Sequence, residues 1–428
     1  MLTPLPLCPE ELAAWLRLAR ARGLRPAALR ALLGAFGLPQ SVLAQPFAAL
    51  AAVAGAQAAH AALAEPGPDF APQVEALRAW RAAPGNALVT LADPAYPPRL
   101  LAMPDPPALL YAKGRLDLLH ARAVAVVGSR NATPQAVEDA ARFARTLAAA
   151  GLTVVSGLAL GVDGAAHRGA LDERGGTVAV IGTGADLVYP PVHHALATQI
   201  AARGALVSEW PLGTPARPAN FPQRNRVIAA LVEGVVVVEA AQRSGSLITA
   251  RLANEMGRDV FALPGSIHAP LTRGCHGLIK QGAQLVETPE EVLDALNVGQ
   301  PAGCGLARAT RRGRLSPKVS VPLDRMQGDA NVTLQLPLES PPHAPPLADR
   351  AGGRKPVAPS PAGLGADALR LLEALGHAPA TVEILAQRTD MAEAVLQGTL
   401  LQLELAGHLD ALPGGWFVRA SRAQGASG

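Results

Sequence analysis

The chain has 428 residues, too many for one compact core, and 49% of them are hydrophobic, enough to fill about two to four domains. Aromatic residues are only 3%, so the core must be built mainly from Ala, Val and Leu; a protein that stacks many bases on rings usually carries more of them, and any nucleic-acid contact here falls to phosphates and a few special positions. The net charge of +4 and a pI near 9.2 permit an anionic partner, and nearly all of the 38 basic residues are Arg, whose planar fork suits phosphate.

Cys8, Cys275 and Cys304 are odd in number and lack CxxC spacing, which fits a reducing cytosol without a disulfide framework. The segment before Leu12 has no basic stretch followed by a sustained apolar run, so no secretory signal is expected. The Ala-rich stretch from Phe47 to Leu63 is interrupted by Gly55, Gln57 and His60 and reads as a helix in water, not a membrane span. A cytoplasmic protein is the expectation.

In chain order, residues 1–64 read as short helices. Leu12, Trp15, Leu16 and Ala19 fall at helical spacing, and Gly23, Gly34 and Gly37 mark turns. Gly34-Ala-Phe-Gly-Leu-Pro points to a SAM-like or helix-hairpin-helix module, with packing the expected role ahead of DNA contact. Residues 65–120, rich in Pro, read as an extended connector packed on the next domain.

From 121 to 298 short Val-rich strands alternate with Ala-rich helices. The strands are expected at Ala123–Val127, Thr153–Val155, Thr177–Ile181, Ala205–Val207, Val235–Val238, Val260–Ala262 and Gln284–Val286. Continuous apolar strands alternating with helices predict an α/β fold, a Rossmann-like parallel sheet covered on both faces. Residues 299–363 lose periodicity and fill with Pro and Gly, which predicts a disordered linker. Residues 364–420 read as three helices and a hairpin turning at Pro413-Gly414-Gly415, a winged helix.

Ligands of open parallel sheets sit at the carboxyl ends of the strands, where four marked turns fall. In the first, Gly128, Ser129 and Arg130 follow a strand and precede a helix opening at Thr133-Pro134. This arrangement brings backbone N–H groups and a guanidinium to an anion. It lacks the further glycines of a dinucleotide fingerprint, so no NAD is expected.

The second turn runs from Ser156 through Gly157 and Gly161 to Asp163. No Lys-Ser/Thr follows, so it is not a nucleotide P-loop. Asp163 and His167, four apart on the next helix, are expected to cap and pack that helix. The third is Phe221-Pro222-Gln223-Arg224-Asn225-Arg226. Two arginines in a first helical turn oppose the helix dipole, which makes sense if they meet phosphate. Phe221 either stacks a base or packs in the core.

The fourth turn, Arg243-Ser244-Gly245-Ser246, suits a backbone anion nest or plain helix capping, and no GxSxG elbow makes either Ser a nucleophile. No metal-spaced His/Cys cluster is present, so neither metal nor cofactor is expected. Together the four turns describe a polyanion groove at one sheet edge, with Arg130, Arg224 and Arg226 gripping successive phosphates. Arg130→Ala and Arg224→Ala are each expected to weaken binding without unfolding the sheet.

The runs VAVVGSR, VVSGLALGVDGAAH, AVIGTGADLVYP, SEWPLGTP, FPQRNRVIAAL, VVVVEAAQRSGSLITA, GRDVFALPG and GCHGLIKQGAQLV, in unbroken order over about 120–296, resemble the DprA/Smf family. That resemblance implies binding of single-stranded DNA, protection of incoming DNA in natural transformation, loading of the RecA recombinase, a homodimer and no catalysis. Carried over by motif, Arg130 and Arg224 to Arg226 correspond to the DNA pocket, and the segment around His276, Ile279 and Leu285 to the dimer surface.

The winged helix departs from a DNA reader. Between Thr389 and Val418 there is no Lys or Arg, while Asp390, Glu393, Glu404 and Asp410 are present. It is expected to meet protein or to pack internally, without supplying the main DNA affinity. The competing enzyme class is a phosphoribohydrolase of the lysine-decarboxylase-like group. Those enzymes carry a PGGxGTxxE signature, and here RSGSLITA has no acid after it until Glu255. A second competitor is a protein-interaction scaffold whose groove is unused.

Overall fold

A computed structural model describes residues 4–298, 365–375, 380–412 and 416–420. The expected linker at 299–363 lies outside the described residues.

Five helices, Pro9–Arg20, Pro26–Phe36, Pro39–Leu43, Phe47–Ala54 and Ala56–Leu63, form the N-terminal unit. They close over a small core of Leu18, Leu29, Leu32, Val42 and Leu50. Trp15 and Leu16, on the other side of the first helix, pack instead against Leu88, Leu109 and Tyr111 of the central sheet. The helical unit is thereby tied to the domain that follows.

That sheet has nine strands: β1 (Asn86–Thr90), β2 (Leu109–Gly114), β3 (Ala123–Val127), β4 (Thr153–Ser156), β5 (Thr177–Val180), β6 (Ala205–Ser208), β7 (Gly234–Val237), β8 (Asp259–Ala262) and β9 (Gln284–Leu285). Their order is β1-β2-β6-β5-β4-β3-β7-β8-β9. The pairs from β6 through to β9 are all parallel. Every residue of β3 is buried, as apolar runs covered on both faces require.

The region 65–120 is more than an extended connector. It forms the helix Phe70–Ala82 and then β1 and β2, which pair antiparallel with each other, β2 also pairing antiparallel with β6. Its prolines sit in the loops, in the first turn of helix Phe70–Ala82 (Pro72) and in the short 3-10 helix Pro98–Ala102, leaving both strands free of them.

Helix Pro134–Ala149 illustrates how sequence builds the layers. The Thr133 hydroxyl caps it, accepting from Ala136 N at 3.2 Å, and Pro134 occupies its first position. Ala136, Ala140, Phe143, Ala144 and Leu147 form the buried stripe, which packs on Val124, Val126 and Val154. The other face of the sheet is covered in part by helices Asn220–Leu231 and Gly245–Glu255.

After residue 364, helices Ala366–Leu375, Val382–Thr389 and Glu393–Leu405 pack around Leu371, Leu385, Leu396 and Leu403. Strands β10 (Ala380–Thr381), β11 (Leu409–Leu412) and β12 (Trp416–Arg419) form an antiparallel sheet in the order β10-β12-β11. This is a winged helix. Among the described residues no helix is long and apolar enough to cross a membrane.

Candidate nucleic-acid interface

The six strands β5-β4-β3-β7-β8-β9 follow the order 3-2-1-4-5-6, with the chain reversing direction across the sheet between β3 and β7. The loops leaving those two strands splay apart there. A groove of about 690 Å³ opens between them.

One wall is the turn after β3. Ser129 N donates to the backbone oxygen of Glu239 at 2.7 Å. The Glu239 carboxylate accepts from Thr133 N at 2.9 Å and from Thr133 Oγ1 at 3.0 Å. Turn and helix start are thus pinned to the end of β7, and Arg130 is exposed over the groove. Its guanidinium carbon lies 4.9 Å from the centre of the Phe221 ring, close enough for a cation–π contact.

Tyr189, 46% exposed, sits 5.8 Å from Phe221 between ring centres. Arg130, Phe221 and Tyr189 lie side by side along the groove as a stepped platform, the two rings tilted 43° to one another. The opposite wall is Arg243, Ser244, Gly245 and Ser246. The Ser244 hydroxyl caps helix Gly245–Glu255, accepting from Ser246 N at 3.4 Å, and lies 2.7 Å from the Ser246 hydroxyl. Asn225 fastens this wall to the floor through Nδ2, which donates to Gly245 O at 3.2 Å.

Arg224 belongs to the floor. It is 4% exposed, donates from Nη1 to the carbonyls of Gly157 and Val180, and donates from Nε to Asn225 Oδ1 at 3.1 Å. Burial lowers its pKa to about 10, with Asp163 opposing that shift and Arg130 adding to it, so it remains a cation at neutral pH. Asp163 is buried beside it and accepts from Gly157 N at 3.1 Å and Ala159 N at 3.4 Å. Burial raises its pKa, against the pull of Arg224 and those two N–H groups. Asp163 therefore braces the loop before its helix, rather than capping from outside it; Gly161 is the residue at the cap.

That loop is held tightly. Leu158, fully buried, has φ +59°, an expensive conformation for a branched side chain. Its N–H donates to His167 Nε2 at 3.3 Å, and its carbonyl lies 2.9 Å from His193 Nδ1. His167 Nδ1 meets Thr177 Oγ1 at 2.7 Å, and that hydroxyl donates to Val154 O at 2.8 Å. Thr177 leaves only its lone pairs for His167, so Nδ1 carries the proton and Nε2 accepts. Burial, with the neighbouring His193, Arg224 and Arg168 adding to it, pushes the His167 pKa down to about 3.

Of the residues expected at the DNA surface, Gly128, Ser129, Arg130, Phe221, Arg224, Asn225, Ser244, Gly245 and Ser246 line the groove. Gly157, Gly161 and Arg226 are not part of its lining. A Cβ on Gly157 would stand 2.3 Å from the Arg224 guanidinium. Gly161, at φ +70°, has its would-be Cβ 2.3 Å from Ser129 O. Both glycines are close-approach positions beneath the surface.

Arg226 points away, pairing with Glu209 through Nη2 and lying 3.3 Å from Asp105 Oδ1. Its place two residues after Arg224 on a helix turns it by about 200° from that side chain, which the motif by itself did not reveal. Tyr189 was missed because it lies nine residues past the end of β5, beyond the turn that follows the strand.

Elsewhere, His276 Nε2 lies 3.1 Å from Gly265 O, and Ile279 is half-buried against the core. Leu285, on edge strand β9, is 44% exposed. Among the described residues no cluster of His, Cys, Asp and Glu is arranged to hold a metal ion.

Residues 87–297 match the family model for DNA recombination-mediator protein A, and residues 355–415 that for the DprA winged helix domain. The chain is 39% identical to protein Smf of Escherichia coli over 351 residues, 82% of each protein. It is 47% identical to DNA processing protein DprA of Streptococcus pneumoniae over 204 residues, 48% of this chain and 72% of that one. The crystal structure of the pneumococcal DprA superposes with a TM-score of 0.57 at 36% identity, covering 66% of this chain and 97% of the other. With a groove at the β3/β7 reversal and a winged helix behind it, the chain belongs to the DprA/Smf family of DNA-processing proteins.

Proposed function

We propose that this protein binds single-stranded DNA in the β3/β7 groove, protects DNA entering during natural transformation, and passes it to RecA without catalysing a reaction on it. The observation that carries this reading is the Arg130–Phe221–Tyr189 platform facing the Arg243–Ser246 wall. A π-face with cations on both sides takes any unpaired base and its phosphates, whereas a duplex keeps its bases stacked inside. Cytoplasmic location and a homodimer joined near His276, Ile279 and Leu285 complete the reading, with the family as support. Two grooves on one particle would raise avidity for a long strand.

The phosphoribohydrolase reading lacks a carboxylate free to act: Asp163 lines the groove but is buried and accepts from Gly157 N and Ala159 N. Glu255 ends the helix whose first turn lines the groove, about 15 Å away along the axis. Glu239 is nearer, but both its oxygens are occupied by Thr133. The deciding experiment is an anisotropy titration of single- and double-stranded oligonucleotides at about 150 mM salt, without metal or nucleotide. Preferential binding of the single strand is the expected result. Binding of neither, with free base released from a nucleoside monophosphate, would transfer the protein to the enzyme class.

A further inference from the structure

Next to the groove, and sharing Asn131 with it, a second cleft of about 620 Å³ opens between helix Pro134–Ala149 and the winged helix. Arg388 seats the winged helix there. Its side chain is 7% exposed and grips both carboxylate oxygens of Glu138, at 2.8 and 2.9 Å. It also donates to Gln135 Oε1 at 2.7 Å and to Ala374 O at 3.0 Å. A forked contact of this kind, buried on the Arg388 side and open to solvent on the Glu138 side, orients the winged helix against helix Pro134–Ala149.

The charge of Glu138 is thereby spent, and the exposed cations on the cleft wall are Arg370 and Arg419. Arg370 uses one N–H on Thr389 O at 2.7 Å, which leaves most of its fork available. The Arg419 guanidinium has no hydrogen-bond or ion-pair partner among the described residues. Glu373 is the one carboxylate on the wall not engaged by Arg388.

We propose that this cleft is a second phosphodiester site, in which Arg370 and Arg419 hold the strand as it leaves the groove past Asn131. The inference rests on the groove binding single-stranded DNA, and it gives the winged helix a part in that binding without using its acidic recognition helix. Both arginines lie outside the stretch Thr389 to Val418 that carries no Lys or Arg. Contact to phosphate alone makes the site blind to sequence.

The test compares the full-length protein with Arg370→Ala/Arg419→Ala on two oligothymidylates, one of about 6 nucleotides, near the short end of single-strand groove sizes, and one of about 20. The double variant should bind the short strand as the parent does. On the long strand its plot of log K against log salt should be shallower by about 1.4, the counterions of two phosphate contacts. Glu373→Gln, which removes no cation, should bind the long strand more tightly than the parent. An unchanged long-strand slope in the double variant overturns the second site while leaving the groove intact. A parent that binds neither strand removes both. Reduced short-strand binding by the double variant, with a normal thermal transition, would place these arginines in the groove itself and also overturn the proposal.

Discussion

Arg130 and Arg224 flank the same aromatic ring, but removing them should have different consequences. Arg130 is exposed and its fork makes no hydrogen bond or ion pair among the described residues, so Arg130→Ala should leave the unfolding free energy within about 0.5 kcal/mol of the parent. On DNA it should make the salt slope shallower by about 0.7, one phosphate contact on a single strand. Arg224→Ala is another matter. It strands the carbonyls of Gly157 and Val180 and leaves Asp163 buried without its compensating cation. A loss of about 3–5 kcal/mol is expected, the range for breaking a buried charge pair. The sequence expectation that Arg224→Ala spares the fold is corrected by this burial. Urea denaturation of the two variants, measured before any DNA titration, distinguishes them: equal stabilities would mean that Arg224 is not a strut. The FPxRNR motif announces a basic cluster, but exposure is a property of the packed helix. One arginine of the pair ends up in the floor and the other, Arg226, on Glu209.

The loop from Gly157 to Gly161 and helix Val162–Ala170 form an element whose stability depends on a neutral histidine. His167 titrates near 3 when folded and near 6.5 when free. Between those values the unfolded chain binds a proton that the folded one refuses, so stability falls as the pH drops below 6.5. The loss is about 1.4 kcal/mol per pH unit. Asp163 and Glu209, whose pKa values burial raises, act in the opposite direction, because the folded state takes up protons first. Comparing the parent with His167→Gln cancels those two. The variant should be less stable at pH 7.5, and its deficit should shrink between pH 6.5 and 5. Parallel stability curves for the two proteins over that interval would show that His167 takes up its proton equally in the folded and unfolded states, and would overturn the prediction. The i, i+4 spacing of Asp163 and His167 is visible in the sequence, and so is the helix they share. What they do there is not, because their partners, the backbone of Leu158 and the hydroxyl of Thr177, come from a loop and from β5. Tertiary contacts of that kind leave no periodic signal. The strands of the parallel sheet, by contrast, were placed within a residue or so at their ends, since a strand buried on both faces must be apolar throughout. β1 and β2 escaped notice because the prolines around them mask two short runs at the sheet's antiparallel margin.

Over the whole molecule, the sheet ends differently at its two margins. The β1 side is covered by helix Phe70–Ala82 and the N-terminal helices, whose Trp15 and Leu77 pack on Leu88 and Tyr111. The β9 side is a two-residue strand with Leu285 44% exposed, next to a helix that leaves Ile279 half-buried, and the neighbouring loop carries Ile267 at 73% exposed. Apolar side chains and unpaired strand groups at one margin suit association of two copies about a two-fold axis, where the same patch meets itself. The proposed dimer makes a concentration-dependent prediction. Sedimentation should find two copies per particle for the parent and one for Leu285→Asp/Ile279→Asp, since facing carboxylates repel across the axis. The half-buried Ile279 calls for a check that the variant keeps the parent's circular dichroism. A monomeric variant should bind a short oligonucleotide unchanged, because each groove is complete within one chain. It should lose affinity for a long strand by roughly the 10²–10⁴-fold that a second linked site can supply. A parent that sediments as one copy at every concentration, yet binds long strands as tightly as a dimer should, would assign that extra affinity to contacts within a single chain.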